Sequence, residues 1–176
     1  MKRTNGFTLI ETLVVIFLMG IILVGGGGLF FNIMKGASKV EVGKEIKQNG
    51  DYAMAIMERM IKNSRGVTVC PSSNDSLTIK NIDNGLTTFF LEDLEDNDKI
   101  ASSGGTILYL TGDNVTVSSL TFICIHEPPT SLLPEDIRRV EISFSLIPKG
   151  SSPEAPPETY AEINFQTSVS LRNFEE

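Results

Sequence analysis

Met1-Lys-Arg-Thr-Asn-Gly6 followed by Phe7-Thr-Leu-Ile-Glu11 opens the chain, and from Phe7 to Phe31 nearly every residue is apolar. A short basic leader ends in glycine, and the apolar run after it carries one carboxylate, Glu11, near its start. As a helix, residues 7–31 would be about 37 Å long, against about 30 Å of bilayer hydrocarbon. Lys2 and Arg3 precede the run, so the positive-inside bias puts the N-terminus in the cytoplasm and the chain beyond residue 35 outside. A core helix of a soluble protein can be this apolar, but it is rarely so long or placed at the start of a chain.

A secretory signal peptide is the stronger competitor. It too has a basic start and an apolar stretch, but the stretch is shorter and a small-x-small site follows it. Gly36-Ala37-Ser38 passes weakly as such a site. Against it stands Glu11, because an acidic residue in a membrane segment costs about 2.5–3.5 kcal/mol on insertion scales. A leader destined for removal has no reason to carry that cost. Glu11 is therefore a functional candidate that needs a partner; snorkelling to the interface is the plainer alternative.

The leader, the glycine, the phenylalanine and the glutamate together resemble the class III signal of type IV pilins and pseudopilins. The resemblance implies cleavage after Gly6 by a prepilin peptidase and N-methylation of the new terminus at Phe7. It also implies assembly with other pilins or pseudopilins by an inner-membrane platform and its ATPase. If the cut follows Gly6, the Phe7 amine lies close to Glu11, in or near membrane lipid. In two subunits offset along a shared axis, the Glu11 carboxylate of one could pair with the Phe7 ammonium of the next, each neutralising a charge in low dielectric. The implied organisation is a leader at 1–6, a membrane and filament-core helix at 7–32, an amphipathic half of the helix at 33–65, and a β-rich head at 66–176.

Gly25-Gly26-Gly27-Gly28 interrupts the apolar run. At about 0.8–1.0 kcal/mol per glycine relative to alanine, the four weaken the helix by about 3–4 kcal/mol. Bilayer would enforce the helix all the same. The glycines permit either local unwinding in a filament, a place often taken by proline in the resembled family, or close helix packing through small residues. Beyond them Ile33, Ala37, Val40, Ile46, Tyr52, Ala53, Ile56, Met57, Met60 and Ile61 recur mostly at helical spacings among charged residues. They predict an amphipathic helix with a weak point at Asn49-Gly50 and a stop at residues 63–66, its apolar stripe packed on a core.

After Gly66 the period falls to two. Residues 67–70, 76–79, 87–90, 106–110, 119–125, 139–146 and 162–171 read as strands, with turn signals at Asp83-Asn84-Gly85 and 111–114 and a proline-rich loop at 148–157. The expected fold class is α+β: a long N-terminal helix laid on a mostly antiparallel sheet, the pilin fold. Leu120-Thr-Phe122, Val140-Glu-Ile-Ser-Phe144 and the closing Phe165–Asn173 look like minor pilins of the W type and minor pseudopilins of the J type. The disulfide loop that often closes major pilins has no counterpart near the C-terminus.

Cys70 and Cys124 are the only cysteines. In an exported head a disulfide is their default state, with two buried thiols as the alternative. A zinc site of Cys70, Cys124 and the single histidine, His126, lacks a fourth ligand. The acidic run at 92–98 has the oxygen chemistry of a calcium ligand set, though a solvated loop accounts for it and it matches no EF-hand; no other cofactor is suggested. Net charge is −7, and about −9 without Lys2 and Arg3, which argues against direct nucleic acid binding. No phosphate loop, nucleophile elbow or metal-ligand cluster is present, so the chain reads as a building block and not as an enzyme. The expectation is a minor pilin or pseudopilin of a type IV pilus or type II secretion-like filament. It would be a single-pass protein of the cytoplasmic membrane first and an extracellular or periplasmic filament subunit later. A major pilin of the shaft, or an anchored or secreted binding module that never polymerises, would share much of this sequence.

Overall fold

A computed structural model describes residues 6, 8–71, 73, 75–95, 97–127, 137–151 and 160–172. The chain divides into two compact units, residues 1–38 and 39–176. The single helix among the described residues, α1 (Leu9–Lys62), contributes to both. In the first unit every described residue is exposed except the half-buried Gly27, and helix continues through all four consecutive glycines.

In the second unit α1 buries Ile46, Gly50, Ala53, Met57 and Ile61. Steps of four and three residues place these on one face of a 3.6-residue helix. Ile56 and Met60 flank the core half-buried. The predicted stripe is narrower than its sequence pattern, because Ile33, Ala37, Val40 and Tyr52 are exposed. The helix stops where Ser64 turns its hydroxyl back onto the Ile61 carbonyl (2.8 Å) and the Arg65 N–H donates to the Lys80 carbonyl (2.7 Å).

Eight strands follow among the described residues: β1 (Gly66–Val69), β2 (Ser76–Lys80), β3 (Leu86–Glu92), β4 (Lys99–Ser103), β5 (Ile107–Tyr109), β6 (Val115–His126), β7 (Ile137–Pro148) and β8 (Ile163–Ser170). They form two antiparallel meanders, a five-stranded sheet in the order β1-β2-β3-β4-β5 and a three-stranded sheet in the order β6-β7-β8. Alternation delivers one face of each to a shared core: Leu77, Ile79 and Phe89 from the larger sheet, and Phe122, Val140, Ile142, Phe144, Leu146 and Val169 from the smaller. Asn84 takes a left-handed backbone (φ 66°) in the β2–β3 turn, as the Asp-Asn-Gly signal requires. The proline-rich residues 152–159 lie outside the described residues.

β4 is absent from the sequence reading. Its Lys-Ile-Ala-Ser-Ser lacks the alternation of a half-solvated strand, because Lys99, Ile100, Ala101 and Ser102 are all buried. Two of them are polar and find partners: Lys99 pairs with Asp113, and the Ser102 hydroxyl donates to the Leu108 carbonyl (3.3 Å).

Asn49-Gly50, a weak point by propensity, is the tightest approach in the unit. A Cβ on Gly50 would lie 2.1 Å from the ring of Phe165, which is stacked on Phe144 at 5.0 Å between centroids. The preceding Asn49 donates to the Glu45 carbonyl (3.0 Å) and accepts the Gly112 N–H (2.9 Å), tying the helix to the turn before β6. Gly50→Ala should therefore destabilise the unit by up to about 2 kcal/mol. Overpacking costs about 1–3 kcal/mol, and the better helix propensity of alanine returns about 1 kcal/mol. Urea unfolding of the full-length protein in detergent measures this. A midpoint unchanged or raised would mean that the Phe165 ring moves aside freely.

Candidate processing and assembly site

Thr8 begins the helix. Its carbonyl accepts the N–H groups of Glu11 (3.1 Å) and Thr12 (3.3 Å), and its hydroxyl lies 3.4 Å from the Glu11 nitrogen. Thr8-Leu-Ile-Glu11 is thus a Ser/Thr-x-x-Glu capping sequence, with threonine at the cap and glutamate in the first turn. The sequence reading missed Thr8, although the four-residue spacing carries the signal. An anion in the first turn also complements the positive end of the helix dipole. The Glu11 carboxylate itself has no hydrogen bond or ion pair to a described residue. Gly6 is exposed, and Phe7 lies outside the described residues.

Behind this cap the large apolar side chains from Leu9 to Met34 are all exposed. A patch of that extent exceeds what a soluble monomer leaves open and marks a membrane or protein contact. Ile16, Phe17, Gly20, Ile21, Val24 and Gly25 line a shallow groove along one face, hollow because the two glycines carry no side chain. Helix α1 is long and apolar enough to cross a membrane, so a capped helix with an acidic first turn and an unpartnered apolar surface is in place for anchoring.

The two cysteines stand in the second unit and are bonded to each other, with Cα atoms 6.5 Å apart. The bond leaves neither sulfur for a zinc ion, and His126 ends β6 opposite Ile137. In the acidic run, Asn97 and Lys99 turn inward. The Asn97 side chain donates to the Asp113 carbonyl (3.2 Å) and accepts the Thr116 hydroxyl (2.9 Å). Lys99 pairs with Asp113, and its ammonium lies 4.9 Å from the centre of the Tyr109 ring. That hydrogen bond and positive charge hold the Asp113 carboxyl below its usual range. Asp93 and Glu95 face solvent, and Asp96 lies outside the described residues. Among the described residues no three His, Cys, Asp or Glu side chains converge as a metal site. Glu58 is also held below the usual carboxylate range, first by the Thr167 hydroxyl of β8 and then by Lys62, against an opposing effect of burial.

Residues 1–27 match the prokaryotic N-terminal methylation motif. Among solved structures the chain is similar to a type IV-like pilin from Thermus thermophilus, at 12% identity and a TM-score of 0.48, over 73% of this chain and 98% of that one. No curated protein matches the chain.

Proposed function

We propose that this pilin-like chain, which carries the prepilin methylation motif at its N-terminus, is a structural subunit of a type IV pilus or type II secretion-like filament. The observation that carries the reading is the unpartnered apolar helix surface from Leu9 to Met34, placed directly behind the motif. Before assembly the helix sits in the cytoplasmic membrane with Lys2 and Arg3 inside. A prepilin peptidase cuts after Gly6 and methylates Phe7. The assembly platform and its ATPase then move the helix from lipid into a bundle of like helices, where Glu11 pairs with the Phe7 ammonium of a neighbour. The finer reading is a minor subunit of the W or J type, supported by the strand sequences of β6, β7 and β8.

Mass spectrometry of the mature N-terminus, on protein from membranes and from sheared surface material, tests this. N-methylated Phe7 is the expected result. An intact Met1, or a start after residue 36, would remove the filament reading and leave an anchored or secreted β-rich domain.

A further inference from the structure

Two hollows lie side by side where α1 ends in the second unit. One, of ≈ 330 Å³, is lined by Ala55, Glu58, Arg59, Lys62, Asn63 and Arg172. The other, of ≈ 480 Å³, is lined by Arg59, Met60 and Asn63 and, from the β2–β3 turn, by Asn81, Ile82 and Asp83. They share Arg59 and Asn63, which stand one helical turn apart, with the Asn63 N–H on the Arg59 carbonyl (3.1 Å). β8 returns beside α1, where the Thr167 hydroxyl meets Glu58, and so brings Arg172 to the first hollow.

Cations outnumber carboxylates in the first hollow, Arg59, Lys62 and Arg172 against Glu58. That one carboxylate is already engaged by Thr167 and by Lys62 at 3.3 Å. Asp83, on the rim of the second hollow, accepts the Gly85 N–H (2.9 Å). Arg59 and Arg172 are exposed and have no ion pair among the described residues. Exposed Glu127 follows β6, but β7 lies between β6 and β8, and the Arg138 carbonyl accepts the Leu171 N–H (2.9 Å). Two strand spacings, about 10 Å, therefore separate the strand of Glu127 from that of Arg172. Beside the charges lies apolar surface: Ile82 is 60% exposed, and Met60 is half-buried.

Arg172 is followed by Asn173-Phe174-Glu175-Glu176, which lie outside the described residues. Extended, four residues span at most about 14 Å, and in an extended continuation Phe174 falls on the side of Arg172. We propose that this segment folds back over the two hollows. The Phe174 ring lies against Met60 and Ile82, and the Glu175 and Glu176 carboxylates pair with Arg59 and Lys62. The chain's own segment is the occupant because it is tethered beside the site, at an effective concentration in the millimolar range. Separate copies, each of net charge −7, repel one another instead. Seated there, the segment straps the end of β8 to the last turn of α1 and closes both hollows to other ligands. The inference goes beyond the filament reading and does not depend on it.

The chain contains no tryptophan, so Phe174→Trp gives the full-length protein in detergent a single reporter. Its emission is expected at shorter wavelength than in urea-unfolded protein, with several-fold weaker quenching by acrylamide. Adding Arg59→Glu should move both toward the unfolded values while the circular dichroism stays the same. A tryptophan exposed from the start would overturn the proposal. So would one whose protection is indifferent to Arg59→Glu, since detergent alone can supply that. Carbodiimide coupling, which joins a carboxylate to an amine in contact, is the second measurement. It uses the unaltered protein, mixed in heavy-nitrogen and ordinary forms, then digested and read by mass spectrometry. The expected product joins Lys62 to Glu175 or Glu176 within one copy. Coupling of Lys62 to Glu58 alone, to Glu127, Glu135 or Asp136, or to residue 175 or 176 of the other isotopic form would each overturn it. Failure here beside N-methylated Phe7 would leave the filament reading standing, while an intact Met1 beside the expected product would do the reverse.

Discussion

Replacing Cys70 and Cys124 together with alanine is expected to cost the second unit about 4 kcal/mol. The bond closes a loop with a sequence separation of 54, and the chain-entropy model assigns a loop of that length about 4 kcal/mol. Its position argues for the full effect. Cys70 follows β1, an edge strand of the five-stranded sheet, and Cys124 lies in β6, an edge strand of the three-stranded one. Each sheet is hydrogen-bonded within itself, so the disulfide is a cross-link between two layers otherwise joined by side-chain packing, the β5–β6 connection and a few hydrogen bonds such as that from the Val117 N–H to the Asp98 carbonyl (2.9 Å). Domains of this size are stable by about 5–15 kcal/mol, so the loss would be a large fraction of the whole. With a urea m-value of about 2 kcal/mol per M, the unfolding midpoint of the full-length protein in detergent should drop by about 2 M. Reduced wild-type protein should unfold close to the double variant. A midpoint that stays in place would mean that the sheets need no tie.

Much of this arrangement is written in the residue pattern, and the gaps have physical causes. β7 and β8 were legible because each has one face on the core and one in solvent, as in Val140, Ile142, Phe144 and Leu146. β4 was not, because Lys99 and Ser102 are polar residues buried on specific partners, and an alternation test counts them as loop. The contact at Gly50 was missed for a related reason. Pattern reading scores side chains, whereas this contact exists because a side chain is missing and Phe165 occupies its place. At the N-terminus the motif was legible from residue types alone, but the pairing of Thr8 with Glu11 as a helix cap becomes plain only once the helix is seen to begin at Leu9. The meeting of Arg59 and Arg172 at one hollow was invisible in sequence, since the two are brought together only by the return of β8 beside the helix.

The capping geometry sharpens the second large effect, which is expected at Glu11. Glu11→Gln should sharply reduce incorporation into filaments while membrane insertion is kept. Glutamine serves a capping box as glutamate does, so the helix start at Leu9 survives, and the uncharged side chain enters lipid at lower cost. What glutamine cannot do is neutralise the ammonium of a neighbouring Phe7. Leaving one member of a buried ion pair alone costs about 3–5 kcal/mol, which weakens each subunit addition by about two to four powers of ten. Quantifying the protein in sheared surface material against that in membranes reads the effect directly. Glu11→Ala, which removes the whole polar side chain and keeps the backbone contact to Thr8, is the companion variant. If alanine blocks incorporation and glutamine does not, a polar side chain at position 11 is enough, and the pairing role falls. If both variants assemble normally, neither role limits assembly. Loss in both, with normal amounts in the membrane, is the outcome that identifies the charge, because the charge is the one feature that both substitutions remove.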